Sequence, residues 1–211
     1  MNVLLVPDGS RRWARKHDVT ECEGRMKSVK AIAMSAEAMH VRGINRLYVT
    51  IASRVNLERP GKKVRNFLEA GASIPDMCGI PIKFTVAGNL SPVPPDVRKL
   101  FAEKESEHAS GFPITITVGW SLPEEIVDLV NRFRGHPRPV TTAEIAKECA
   151  VPDAIDLWIR AGGDMRFSGF FPALSPYLEI VCRDEYMPDF TPSTVDEIFD
   201  DFHRRERRFG A

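Results

Sequence analysis

Four cysteines, no long apolar run and no excess of either charge narrow this 211-residue sequence before any motif is read. Cys22, Cys78, Cys149 and Cys182 form no Cys-x-x-Cys pair and have no histidine at metal-ligand spacing. That excludes a zinc ribbon, a dithiol redox motif and a disulfide scaffold. With no secretory leader in the sequence, the expectation is reduced thiols in a cytoplasm. No apolar stretch approaches the roughly 20 residues that a helical bilayer span needs, so stable membrane insertion is not expected. The 29 basic residues balance 29 acidic ones, so no global field draws the chain to nucleic acid or a membrane surface. Any basic function must be local. The histidines His17, His40, His108, His136 and His203 are scattered and read as surface or satisfied side chains. There is no internal repeat, low-complexity segment or linker.

What is present fits one soluble globular domain over residues 1–211: 43% hydrophobic and 27% charged residues, enough for one sizeable core. Apolar, β-prone runs predict strands over 3–6, 44–52, 82–87, 112–118, 155–159 and 177–182. Between them, helical spacing predicts a short helix after residue 9 and longer ones over 24–42, 62–70, 95–109, 123–134 and 193–208. Gly43 reads as a stop for the second helix, Gly71 as a break in the third, and Thr141 as the cap of a further short one. Strands alternating with helices over short connections imply an α/β fold with a mostly parallel central sheet flanked by helices.

Two stretches carry candidate chemistry. In the first, the run Val3-Leu4-Leu5-Val6 ends at Pro7-Asp8-Gly9 and a helix-compatible segment begins at once. A helix start offers unpaired N–H groups and partial positive charge to an anion. Arg11, Arg12, Arg15 and Lys16 crowd its first turns, where the macrodipole disfavours them unless a strong anion is bound. Asp8 sits where it could hold a divalent cation against that anion. The pattern alone equally allows a helix with a solvated basic face. In the second stretch, Arg160, Arg166 and Ser168 surround Gly162-Gly163 at the end of a predicted strand. Arginine forks and a glycine-permissive backbone suit a diphosphate; an ordinary surface loop with ion pairs is the alternative. Ser53, Asn56 and Arg59 follow another strand end, a usual ligand position in open α/β sheets.

Resemblance weights these options. Pro7-Asp8-Gly9-Ser10-Arg11-Arg12-Trp13 resembles the Met-Asp-Gly-Asn-Gly-Arg-Trp signature of the cis-prenyltransferases, the undecaprenyl diphosphate synthase family. The run from Asp156 to Phe170 is similar to that family's Asp-Leu-x-Ile-Arg-Thr-Gly-Gly-Glu-x-Arg-x-Ser-Asn-Phe, and Met187-Pro188-Asp189-Phe190 to its Trp-Pro-Asp-Phe. Ser175 to Glu179, Ser53 to Pro60 and the Arg205-to-Gly210 tail match further segments in order. The resemblance implies Mg2+ as cofactor, held by Asp8 and by Glu179 as second carboxylate near a dimer interface. It implies that Gly9, Ser10, Arg11, Arg12 and Trp13 cradle an allylic diphosphate, with Arg25 beside it. Arg59, Arg160, Arg166 and Ser168 would hold a second diphosphate, while Ser53 and Asn56 assist positioning or proton removal. The partners implied are small prenyl diphosphates and a second copy of the chain, with the tail around Arg208 and Gly210 reaching that copy's site. If Mg2+ is the only partner of Asp8, replacing it by alanine should leave stability intact.

The departures narrow the reading. Arg25 stands where the family has histidine, Arg11 where it has glycine, and Val55 and Leu57 where it has glutamate and tryptophan. Gly119-Trp120-Ser121-Leu122-Pro123 replaces an Asn-Tyr-Gly-Gly-Arg element, and the segment from Pro60 to Gly88 looks shortened. Residues around the isopentenyl site are lost while Asp8, Arg160, Arg166, Ser168 and Glu179 are kept, which suggests diphosphate chemistry with a different acceptor. The pattern is similar to the small branch making irregular terpenes, the lavandulyl, cyclolavandulyl and isosesquilavandulyl diphosphate synthases. It implies head-to-middle coupling of dimethylallyl diphosphate to a second allylic diphosphate, dimethylallyl or geranyl, giving a branched C10 or C15 product. The alternatives are a head-to-tail short-chain enzyme using isopentenyl diphosphate, and a non-catalytic accessory subunit. An intact isopentenyl site would favour the former, and loss of Asp8 and the arginines the latter.

Overall fold

Residues 1–58 and 61–208 are described by a computed structural model, Lys62 by its backbone only. Strands β1 (Asn2–Val6), β2 (Arg46–Ala52), β3 (Ile82–Ala87), β4 (Phe112–Val118), β5 (Leu157–Arg160) and β6 (Glu179–Cys182) form one sheet in the order β3-β4-β2-β1-β5-β6. Every strand pairing in it is parallel, with Val3 beside Leu47 and Leu157, and Val6 beside Arg160. A parallel strand covered on both faces has no wet side, so its sequence is apolar almost throughout. Leu4, Leu5, Leu47, Tyr48, Val49, Ile114, Ile116, Leu157 and Ile159 are accordingly buried.

The alternation of strand side chains divides the interior in two. Val3, Leu5, Leu47 and Val49 join the larger core, while Leu4, Val6, Tyr48 and Trp158 join a smaller one with Trp120, Val151, Ile155 and Phe170. The helices are α1 (Ser10–Lys16), α2 (Glu21–Val41), α3 (Arg54–Leu57), α4 (Gly61–Ala72), α5 (Pro95–Glu107), α6 (Leu122–Arg132), α7 (Thr142–Glu148) and α8 (Pro192–Arg204). Val29, Ile32, Ala36 and Met39 of α2, with Val195, Ile198, Phe199 and Phe202 of α8, supply much of the larger core. The start of α2 is set by a reciprocal capping box between Thr20 and Glu23.

The expected mostly parallel, helix-flanked sheet is the observed one, and helix α4 is where the local reading fails. Gly71 was expected to break that helix, yet α4 runs on to Ala72. A Cβ at Gly71 would sit 3.1 Å from Cγ2 of Ile51, so this glycine is a packing device that brings α4 close to β2. Helix α3 was not foreseen. It is a single turn in which the Ser53 Oγ accepts from the Asn56 N–H and the Asn56 Oδ1 accepts from the Ser53 N–H. Among the described residues, no helix is long and apolar enough to cross a membrane.

Candidate active site

Strand β1 runs out at Val6 beside Arg160, the last residue of β5, and the strand order reverses between these two strands. Open parallel sheets leave a crevice at such a point, at the carboxyl ends of the strands. The crevice here opens into a cavity of about 690 Å3. The mouth takes Asp8, Gly9, Ser10, Arg11 and Arg12 from the β1–α1 turn, Arg25 from α2, and Arg160, Asp164, Arg166 and Ser168 from the loop after β5. Ser53 and Asn56 line another side. Among the described residues of the lining, seven are arginine or lysine and three are acidic, so a chain of zero net charge concentrates positive charge here. Behind the mouth the wall turns apolar, with Val29 and Ile32 of α2, Ile51 of β2, Phe67 of α4, and Ile74.

A charge network organises the mouth. The Arg160 side chain is 3% exposed. Its Nη2 donates to the Asp8 Oδ2 at 2.9 Å, and its Nη1 to the Arg166 carbonyl at 2.6 Å and the Ser168 Oγ at 3.0 Å. The second Asp8 oxygen accepts the Gly9 N–H at 2.6 Å and lies 3.4 Å from Arg12. Asp164 bridges all three arginines through one carboxylate oxygen, at 2.8 Å from Arg166, 3.4 Å from Arg12 and 3.6 Å from Arg160. A buried guanidinium is tolerable only with such partners, and removing one leaves an uncompensated charge. Arg160 is therefore the hub that holds Asp8 in place. Among the described residues, its buried Nε has no hydrogen-bond partner.

The backbone permits this crowding at two glycines. Gly9 has φ +99°, and a Cβ there would lie under 3.0 Å from three carbons of Tyr186. Gly162 has φ +94°, and a Cβ there would press on the Arg12 Nη2. The segment after β6 ties the two loops together. The Met187 N–H donates to the Asp8 carbonyl, and the N–H groups of Gly162 and Gly163 donate to the carbonyls of Glu185 and Arg183.

Two candidates fall elsewhere. Trp13 does not line the cavity; it is buried, and its indole N–H donates to the Asp189 Oδ1 at 2.6 Å. Glu179 is level with Leu157 and Val3, towards the amino ends of the strands and away from Asp8, and is ion-paired to Arg205 at 3.0 Å. Within one chain the two carboxylates expected at a metal do not meet. Arg59 lies outside the described residues, as does Gly210, while Arg208 pairs with Glu206. Conversely, Asp164 had no role assigned from sequence, although a carboxylate between Arg160 and Arg166 was its signal. Tyr186 carried no motif signal at all.

The donors at Asp8 fit a Mg2+ ion. One half-exposed carboxylate beside a cationic cradle matches the habit of this ion, which takes one or two carboxylates and completes its shell with phosphate oxygens and water. Asp164 is the nearest further carboxylate of the network. Among the described residues, Asp76, Glu107 and His108 are three side chains close enough together to share a metal, and they lie outside the cavity. There Asp76 is already engaged by Lys104 and His108.

Comparison with known proteins points the same way. A family model for undecaprenyl diphosphate synthase matches residues 6–210. The isoprenyl transferase of Nitrosomonas europaea is 27% identical over 222 residues, spanning 99% of this chain and 84% of that one. The isoprenyl transferase of Fusobacterium nucleatum is 29% identical over 220 residues, spanning 100% and 95%. The crystal structure of lavandulyl diphosphate synthase from Lavandula x intermedia, in complex with dimethylallyl diphosphate, superposes with a TM-score of 0.85 at 22% identity, covering 100% of this chain and 98% of that one.

Proposed function

The chain belongs to the undecaprenyl diphosphate synthase family of prenyltransferases, and from that premise we propose a short-chain, head-to-middle enzyme. It joins dimethylallyl diphosphate to a second allylic diphosphate, dimethylallyl or geranyl, to give a branched C10 or C15 prenyl diphosphate. The observation that carries the reading is the pairing of a cation-rich mouth with apolar lining residues in one cavity of about 690 Å3. That volume falls within the roughly 300–1,000 Å3 usual for small-molecule pockets, which suits short substrates. The choice of acceptor rests on Val55 and Leu57, which stand where the family's isopentenyl side has glutamate and tryptophan. The likeness to a lavandulyl enzyme agrees in fold.

The geometry supports a set of roles within this proposal. Arg12 and the first-turn amides of α1 hold the donor's diphosphate, and Arg166 and Ser168 that of the acceptor. Arg160 keeps Asp8 in place and braces the 166–168 loop. When bound at Asp8, Mg2+ supplies charge that stabilises departing pyrophosphate. The donor's C–O bond breaks as the acceptor's alkene forms the new C–C bond, the adduct loses a proton, and released pyrophosphate can accept it. The chain contributes orientation and fixed charge. Assembly as a homodimer belongs to the same proposal, with Glu179 acting on the partner's site.

The test is pyrophosphate release by purified protein with Mg2+. Release from dimethylallyl diphosphate alone supports the proposal. Release only after isopentenyl diphosphate is added favours head-to-tail elongation, and none with any allylic diphosphate favours an accessory subunit.

A further inference from the structure

Arg12 is held by two long ion pairs, at 3.4 Å from both Asp8 and Asp164. Its guanidinium carbon lies 5.2 Å from the centre of the Tyr186 ring. The same ring packs under Gly9, where no side chain fits. The next residue, Met187, donates its N–H to the Asp8 carbonyl. One aromatic side chain thus touches both Gly9, which follows Asp8, and Arg12 one turn on.

An aromatic face and a carboxylate restrain a guanidinium in different ways. A carboxylate neutralises the charge and competes with an incoming anion. An aromatic face attracts the cation through its quadrupole and adds no net charge, so the positive charge stays available. We propose that Tyr186 is a positioning residue for diphosphate binding: its ring holds Arg12 aimed into the cavity while leaving the charge unspent. This rests on the diphosphate reading of the mouth and assigns a residue that motif and cavity lining both pass over.

The experiment is a double-mutant cycle on the full-length protein, with binding of inorganic pyrophosphate in Mg2+ measured by calorimetry. The variants are Tyr186→Leu, Tyr186→Phe, Arg12→Gln and the Tyr186→Leu/Arg12→Gln pair. Tyr186→Leu should weaken binding about threefold to tenfold, the scale of a partly buried cation–π contact, and Tyr186→Phe should bind like wild type. In the Arg12→Gln background Tyr186→Leu should cost nothing further, a non-additivity that general loosening of the fold would not produce. The KM for dimethylallyl diphosphate should move with these affinities while kcat changes less. Additive losses, a loss in Tyr186→Phe equal to that in Tyr186→Leu, or Tyr186→Leu binding like wild type would each overturn the inference. Wild-type protein that binds no pyrophosphate would instead overturn the diphosphate reading itself.

Discussion

Replacing Asp8 should do two things that separate by choice of side chain. Asp8→Asn keeps an oxygen acceptor for the Arg160 Nη2 and loses the charge a metal needs. It is expected to lower pyrophosphate release by about 100-fold or more with little change in thermal midpoint. Asp8→Ala also strips a partner from the buried Arg160, and should cost about 1–2 kcal/mol of stability. That is the lower part of the range, because Asp8 itself is 39% exposed. Differential scanning fluorimetry beside the activity assay separates the two. Sequence alone makes Mg2+ the sole partner of this carboxylate and predicts no loss of stability. The ion pair with Arg160 changes that expectation, and it joins residues 152 positions apart.

At the scale of elements, α7 offers a pH test away from the site. The Thr141 amide, the Arg138 guanidinium and the Thr141 hydroxyl hold the Glu144 carboxyl well below its usual value, at about 2. A depressed folded-state value means that the stabilisation is present above the unfolded value near 4.5 and is lost as pH falls through the folded value. Hydrogen-exchange protection of α7, corrected for intrinsic rates, should therefore decline between about pH 4.5 and 2 in the wild type. It should be lower and flat across that window in Glu144→Gln. Thr141 as the cap of this helix is legible in the sequence, as are the strands, because continuous burial writes itself as continuous apolar residues. Other elements are legible only in three dimensions. Gly71 looks like a helix breaker until Ile51 is seen against it. Ser53 and Asn56 read as catalytic polar residues past a strand, whereas part of their hydrogen bonding closes α3. The apolar back of the cavity draws on α2, β2 and α4, and no single periodicity announces that meeting.

The whole molecule poses the question of Glu179. It sits three rungs below Arg160 on the neighbouring strand, about 10 Å down the sheet. A role at the metal would thus have to be played across a dimer. If so, Asp8→Asn and Glu179→Gln, each impaired alone, should recover activity when unfolded and refolded together. A mixed dimer then keeps one site with both carboxylates. A role within one chain predicts no recovery. Sedimentation should show a species of twice 23.7 kDa.

The most direct measurement is the identity of the product. Purified protein and Mg2+ would be incubated with dimethylallyl diphosphate, alone and with geranyl or isopentenyl diphosphate, and the dephosphorylated alcohols separated by gas chromatography and identified by mass spectrometry. A branched C10 or C15 alcohol formed without isopentenyl diphosphate is the predicted result. A linear Z-configured alcohol that requires isopentenyl diphosphate would contradict it.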